Sequence, residues 1–266
     1  MFYINNGKTD REIVYSFVKC IKTNTYYEFF ETEKPYLLGR SNKGYVSLNK
    51  RKKKRNNRSK EYALRTVKRS KDNIRRLSIG NFNDYEVRHL VLTFKNGLNF
   101  DINNLKECNK RFYLFSQKMN KFYPDFKYIK VAEYQKRGAV HYHVICNLRY
   151  VSSKDIARIW GYGFIKIGKC PYNIAQYLLK YIYKSIGDKR FKGSRVWSSS
   201  SNLVRPQSYY LKKVYEFKNL MCDKDLVPTY KYSYKSRENG NIFCTEYDTV
   251  HCLTRSKFNY IKGGDF

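Results

Sequence analysis

The segment Ala139-Val140-His141-Tyr142-His143-Val144-Ile145 sets two histidines two residues apart. On a strand both imidazoles leave the same face of the sheet, so the pair can chelate one metal ion. Phe126 to Gln135 and Ala139 to Leu148 read as two strands joined by Lys136-Arg137-Gly138, with Gly where a hairpin bulge would use it. If that hairpin closes symmetrically about Arg137, Glu133 lies opposite His141 on the same face, and a carboxylate and two imidazoles converge. Two nitrogens and one oxygen with open positions suit Mg²⁺ or Mn²⁺ held for phosphate chemistry, and they suit zinc as well. A His-x-His strand also occurs as a polar face or a packed pair. The register-matched Glu133 is what favours a ligand set.

A second cluster stands on Tyr172 to Ile186, which reads as a helix following Pro171. Tyr177, Lys180, Tyr181 and Lys184 fall within an arc of about 100°, while Ala175, Leu178, Leu179, Ile182 and Ile186 cover the other side. The pattern predicts an apolar back docked on a sheet and two phenols, flanked by two ammonium groups, facing outward. A phenol with a pKa of about 10 is a weak nucleophile at neutral pH. Lys180 and a metal-polarised phosphate would favour the phenolate and stabilise charge on phosphoryl oxygens. Among 27 tyrosines such a pair also arises by chance, and its place beside a candidate metal strand is what gives it meaning. Gly163-Phe164-Ile165-Lys166-Ile167-Gly168-Lys169-Cys170 has the glycine and lysine spacing of a P-loop. It ends in Cys where Ser or Thr must bind Mg²⁺, so it reads as strand and turn, and no small-molecule nucleotide site is expected.

The elements that must position these residues follow from periodicity. His89 to Phe94 reads as a strand, and Asp101 to Phe122 as an amphipathic helix with Leu105, Cys108, Phe112, Phe115, Met119 and Phe122 spaced by three and four. Ser152 or Ser153 can cap a short helix through Trp160, and Gly163 to Gly168 is a β-type run. The order β-α-β-β-α-β-α predicts an α+β fold, an antiparallel sheet with helices packed on it. Ile13 to Val18 and Tyr26 to Phe30 read as an accessory hairpin, and Gly187 to Phe266 as short Tyr-rich β-like runs, giving β-rich N- and C-terminal flanks. Expected divisions are 1–50 as an accessory β-rich segment, 51–80 as a basic helical arm, 81–210 as the core, and 211–266 as an extension without a second chemical cluster.

Charge names the partner. With 54 Lys+Arg against 22 Asp+Glu the net charge is +32, and 42% hydrophobic residues supply a core, so the excess sits on a folded surface and calls for a polyanion. Seven of the ten residues from Arg51 to Lys60 are basic, and Glu61 to Ile79 reads as a helix with Leu64, Val67, Ile74 and Leu77 as an apolar stripe. Arg51, Lys52, Lys53, Lys54, Arg55, Arg58, Arg65, Lys68 and Arg69 are therefore expected to grip a nucleic-acid backbone, joined by Arg137 at the hairpin tip. The seven cysteines include no CxxC pair, which argues against a zinc finger and for free thiols. No apolar run reaches the roughly 20 residues of a spanning helix, and Met1-Phe2-Tyr3-Ile4-Asn5 lacks a signal-peptide layout, so no membrane partner and a cytoplasmic location are expected.

Leu92-Thr93-Phe94, Glu133 to His143, Trp160-Gly161-Tyr162-Gly163 and Tyr177 to Lys184, in this order, resemble the HUH-type rolling-circle replication initiators of small single-stranded DNA phages and related plasmids. The basic helix over 58–81 and the segment Ser199 to Pro206 look like family features too, so the resemblance spans roughly 50–210. It implies an HUH endonuclease core of the ferredoxin-like or RRM-like type and a metal-dependent strand transferase acting on single-stranded DNA at a replication origin. His141, His143 and Glu133 would hold Mg²⁺ or Mn²⁺. Tyr177 would attack the scissile phosphate, with Lys180 assisting, to leave a 5′-phosphotyrosine and a free 3′-OH for the host polymerase. Tyr181, with Lys184 three residues on, resembles the second nucleophile of members that use two tyrosines. No helicase motif is present, which implies a host helicase and, for a phage protein, the bacterial cytoplasm. Two other readings are an HUH-type transposase with the same chemistry and a non-catalytic protein whose 17 Phe and 27 Tyr partly stack bases.

Overall fold

A computed structural model describes residues 13–41, 44–47, 60–82, 87–149, 151–170, 174–186, 188–191, 194–251 and 254. In chain order the strands and helices are β1 (Ile13–Thr23), β2 (Tyr26–Ser41), β3 (Gly44–Ser47), α1 (Lys60–Asn81), β4 (Arg88–Thr93), α2 (Leu105–Phe122), β5 (Tyr128–Tyr134), β6 (Val140–Cys146) and α3 (Ser153–Trp160). There follow β7 (Ile165–Lys169), α4 (Ile174–Ile186), β8 (Trp197–Ser199), β9 (Gln207–Tyr210), α5 (Lys212–Asp223), β10 (Tyr230–Ser236) and β11 (Gly240–Asp248). The fold is α+β, with a six-stranded and a five-stranded sheet, both antiparallel.

The chain forms two compact units, one from 1–56 with 205–266 and one from 57–204. The first holds the sheet β10-β11-β2-β1-β9, with β3 beside β2. Residues from both ends of the chain thus share one sheet. The tail is not all β-like: Val214, Phe217 and Met221 of α5 bury themselves on Cys20, Tyr27 and Phe29. Val214, Tyr215 and Phe217 favour strands locally, but burial at spacings of three and four decides for a helix.

In the second unit β4-α2-β5-β6-α3-β7 gives the spatial order β7-β4-β6-β5, a ferredoxin-like layer, with β8 added beside β5. Alternate residues of each strand face opposite sides. Leu90, Leu92, Ala132, Val140, Tyr142 and Val144 pack under α2 and α3. Helix α2 starts on Asn104, whose Oδ1 accepts from the Lys106 and Glu107 amides at 3.0 and 3.4 Å. It buries Leu105, Cys108, Phe112, Phe115 and Met119, whereas Phe122, its last residue, stays exposed. Ser152 occupies the N-cap position of α3 without a side-chain cap bond. On the other side Ile129, Val131 and Ile145 meet Leu178, Leu179 and Ile182 of α4 and Ile74 and Leu77 of α1, each such side chain contributing about 1.5–3 kcal/mol. Arg65, Lys68 and Arg69 lie on the exposed side of α1; Arg51, Lys52, Lys53, Lys54, Arg55 and Arg58 lie outside the described residues. No helix among the described residues is long and apolar enough to cross a membrane.

The segment after α3 is locked to the end of β4. Trp160 Nε1 donates to the Thr93 carbonyl at 2.9 Å, the Thr93 amide to Phe164 O at 2.9 Å, and the Lys95 amide to Tyr162 O at 2.9 Å. Gly163 lies between them, and a Cβ there would collide with Thr93 O and approach Lys95 N to 2.7 Å. Neither contact is a side chain that can swing away. Gly163→Ala should lower stability by roughly 1–3 kcal/mol, read as a shift of the urea midpoint at unchanged m-value; an unshifted midpoint would show that the backbone yields freely.

Candidate active site

The β5–β6 ladder pairs Glu133 with His141 and Val131 with His143, the register of a hairpin centred on Arg137. The turn is closed by the Gln135 amide on Ala139 O and the Gly138 amide on Gln135 O, both at 2.9 Å, with Gly138 at φ 92°. Three side chains therefore meet on the α4 face. Glu133 Oε2 lies 3.3 Å from His141 Nε2 and 3.1 Å from His143 Nε2, and the two Nε2 atoms are 2.9 Å apart. Only 17%, 13% and 8% of the Glu133, His141 and His143 side chains are exposed. Both Nδ1 atoms are buried without a partner, so what the Nε2 atoms face orients the rings. Burial pushes His141 below its ordinary value despite the neighbouring Glu133. Burial, then His141, His89, Lys184 and Lys180, pushes His143 down to about 2. Both imidazoles are neutral at neutral pH, as metal ligands must be. Two imidazole nitrogens and a carboxylate oxygen at one point could bind a metal ion.

Helix α4 brings its tyrosines to the same face. Tyr181 stacks flat on His143, with centroids 3.4 Å apart and planes at 15°, and its hydroxyl donates to that of Tyr177 at 3.1 Å. The Tyr177 hydroxyl also bonds a ring nitrogen of His89, and the His89 ring stacks on His143 at 5.8 Å. The two phenols are half-buried against the histidines instead of facing outward. The reason is lateral packing. Leu178 and Ile182 turn toward α1 and β5, and Ser185 Oγ donates to Ala132 O at 3.1 Å, which rolls the Tyr arc over the His-bearing strands. Burial and the bond from Tyr181 hold the Tyr177 phenol above its ordinary pKa. Lys184 Nζ reaches Glu133 Oε1 at 3.3 Å, while Lys180 is exposed. Arg137 donates to Gln135 Oε1 at 2.9 Å and to Asn96 Oδ1 and Phe94 O, tying the hairpin tip to the loop after β4.

His89 is the residue of this cluster that the sequence reading leaves unassigned. It sits opposite Ile145 in the β4–β6 ladder, diagonal to His143. That register joins strands separated by the whole of α2 and β5, and no local turn encodes it. Burial, then Lys166, pushes His89 down to about 4.

A family model for a replication-associated protein, the ORF2 type, matches residues 87–186, a stretch that runs from just before β4 to the end of α4 and contains the whole cluster. No curated protein and no solved structure matches the chain. The family match supports a replication initiator that interacts with DNA.

The buried histidines couple stability to pH. His89 and His143 have folded pKa values of about 4 and about 2, below the ordinary value of 6.5. The unfolded chain therefore binds more protons below pH about 6.5, and folding weakens as pH falls through that window, by up to about 1.4 kcal/mol per unit for each histidine. Urea titrations in chelator at about pH 7, 6 and 5 should show this slope, and His89→Asn should remove its share; a slope the same in His89→Asn would count against the assignment.

Proposed function

We propose that the protein is an endonuclease and strand transferase that nicks single-stranded DNA at a replication origin and later rejoins it. The observation that carries this reading is the meeting of two tyrosine hydroxyls with a Glu/His/His donor set on one sheet face. His141 Nε2, His143 Nε2 and Glu133 Oε2 are the atoms that would hold a divalent cation, Mg²⁺ or Mn²⁺. Once bound, such an ion supplies polarisation of the scissile phosphodiester and offsets charge on its oxygens. The unpartnered Nδ1 atoms and the neutral rings fit this assignment.

Tyr177 Oη attacks the phosphorus while the bond to O3′ of the preceding nucleotide breaks. The products are a 5′-phosphotyrosine and a 3′-hydroxyl, the phenolic proton ending on O3′. Before attack, His89 and Tyr181 hold the Tyr177 hydroxyl from two sides, and the bond from Tyr181 stabilises the oxygen as negative charge develops on it. Tyr181 is the second nucleophile, available for the joining step. Lys180 faces solvent on the same arc and meets the phosphate; Lys184 releases Glu133 to the cation and does the same. The basic stretch 51–58 and the α1 residues Arg65, Lys68 and Arg69 hold the DNA backbone, which makes affinity steeply salt-dependent. The free 3′-hydroxyl serves a host polymerase, and a host helicase unwinds, which sets the reaction in the cytoplasm.

Incubation with single-stranded origin DNA and Mn²⁺ should give a covalent adduct stable to denaturation, and mass spectrometry of the linked peptide should find it on Tyr177 or Tyr181. His141→Ala should slow its formation about 100-fold or more. A Tyr177→Phe/Tyr181→Phe protein that still forms the adduct would sink the assignment of nucleophiles. DNA that binds but stays intact would favour a non-catalytic binding protein.

A further inference from the structure

The sheet face turned away from the histidines carries a second feature. Helix α2, strands β5 and β8 and residues 194–196 enclose a cavity of about 880 Å³, within the usual range of about 300–1,000 Å³ for ligand sites. Phe112, Tyr128 and Trp197 give it aromatic walls. Its depth holds Lys130, 8% exposed, whose ammonium sits 4.2 Å from the Phe112 centroid and 4.3 Å from that of Tyr142 and donates to Asn109 Oδ1. Tyr142 OH donates to the same Oδ1 at 3.0 Å, so that acceptor is taken up by two protein donors. Arg111 Nε, buried in the lining, has no partner. Lys106 and Arg195 stand exposed among the lining residues, and no Asp or Glu lines the cavity.

Such a site is rich in donors and poor in acceptors, with flat apolar walls and a cationic mouth. A core position at Lys130 would need only volume, which methionine supplies; the ammonium adds a donor where burial makes it costly, and burial pushes its pKa down to about 7. Trp197 connects the cavity to the opposite face. It stands on the edge strand β8, lines the cavity, and donates from Nε1 to Ser70 Oγ of the basic helix α1 at 3.0 Å.

We propose that this cavity receives one nucleotide of the bound single strand, its base against Phe112, Tyr128 and Trp197 and its flanking phosphates on Lys106 and Arg195, the strand rounding the β8 edge from α1. Donors at its depth favour a base presenting carbonyl oxygens, thymine over adenine. The proposal rests on the reading of the protein as one that acts on single-stranded DNA.

Fluorescence anisotropy on the full chain, with labelled thymidine and adenosine oligonucleotides, tests it. Lys130→Met should weaken thymidine binding about 5- to 10-fold with a smaller effect on adenosine, and Lys106→Glu/Arg195→Glu should weaken both and flatten the salt dependence. Adduct formation at saturating DNA should stay at the wild-type level in these variants, which separates loss of the site from loss of fold. A second measurement needs no variant: an iodouracil-substituted oligonucleotide, photolysed on the wild-type protein, should crosslink to peptides containing Tyr128 or Trp197. Unchanged binding in both variants, crosslinks only to other peptides, or displacement of the oligonucleotide by equal concentrations of thymidine monophosphate would overturn the proposal. Wild-type protein that binds no single-stranded DNA would overturn the functional reading and this one together, whereas wild-type nicking with indifferent variants would overturn this one alone.

Discussion

The register of the β5–β6 hairpin is the constraint on which the site depends. Side chains alternate along a strand, so a slip of one residue would send His141 and His143 into the core under α2 and bring Tyr142 to the α4 face. The turn at Lys136-Arg137-Gly138 prevents that slip, and Arg137 reinforces it by reaching across to Asn96 and the Phe94 carbonyl. A residue expected on DNA thus also has a structural duty: it pins the tip of the hairpin that presents the ligand set.

The two faces of the five-stranded sheet solve different problems. Under α2 and α3 the packing is dense and aromatic, with Phe112, Phe115, Tyr142 and Trp160 in mutual contact, which makes the sheet rigid. Under α4 the contacts are split between aliphatic residues at one flank and His/Tyr contacts at the other. Rigidity comes from the first face and chemistry is placed on the second, so the polar cluster does not have to hold the fold together. Lys184 and Glu133 form an ion pair in which the lysine is half exposed, and an exposed pair of this kind contributes little, about 0–1 kcal/mol; exchanging it for another partner disturbs nothing structural.

What could be read from sequence was what short-range geometry encodes. Gly138 marks the turn, the turn sets the register, and the register brings Glu133 to His141. The 3–4 periodicity of α2 and the Tyr/Lys arc of α4 are local as well. His89 was not legible, since its place depends on pairing β4 with a strand that follows only after α2 and β5. The side of α4 that meets the sheet was misjudged for a related reason: hydrophobicity selects Leu178 and Ile182 as the buried face, but their partner includes α1, and the amphipathic phenols take the strands. Helix α5 was hidden by residues of strand propensity, and the cavity beside Lys130 by the fact that its walls come from three separate segments.

The six-stranded sheet draws β1 and β2 from one end of the chain and β9 to β11 from the other, with the whole 57–204 unit between them. On the ribosome, the β1–β2 hairpin emerges long before the strands that flank it, while the intervening unit has all its own strands and helices to hand as soon as residue 204 is out. Within it the Asn81 side chain, at the end of α1, is bonded to the Val204 amide and carbonyl at 2.7 and 3.0 Å, which fastens its beginning to its end. Synthesis therefore orders the two units: the insert can mature first, and the early hairpin stays an open-edged template until the last strands arrive to cover it.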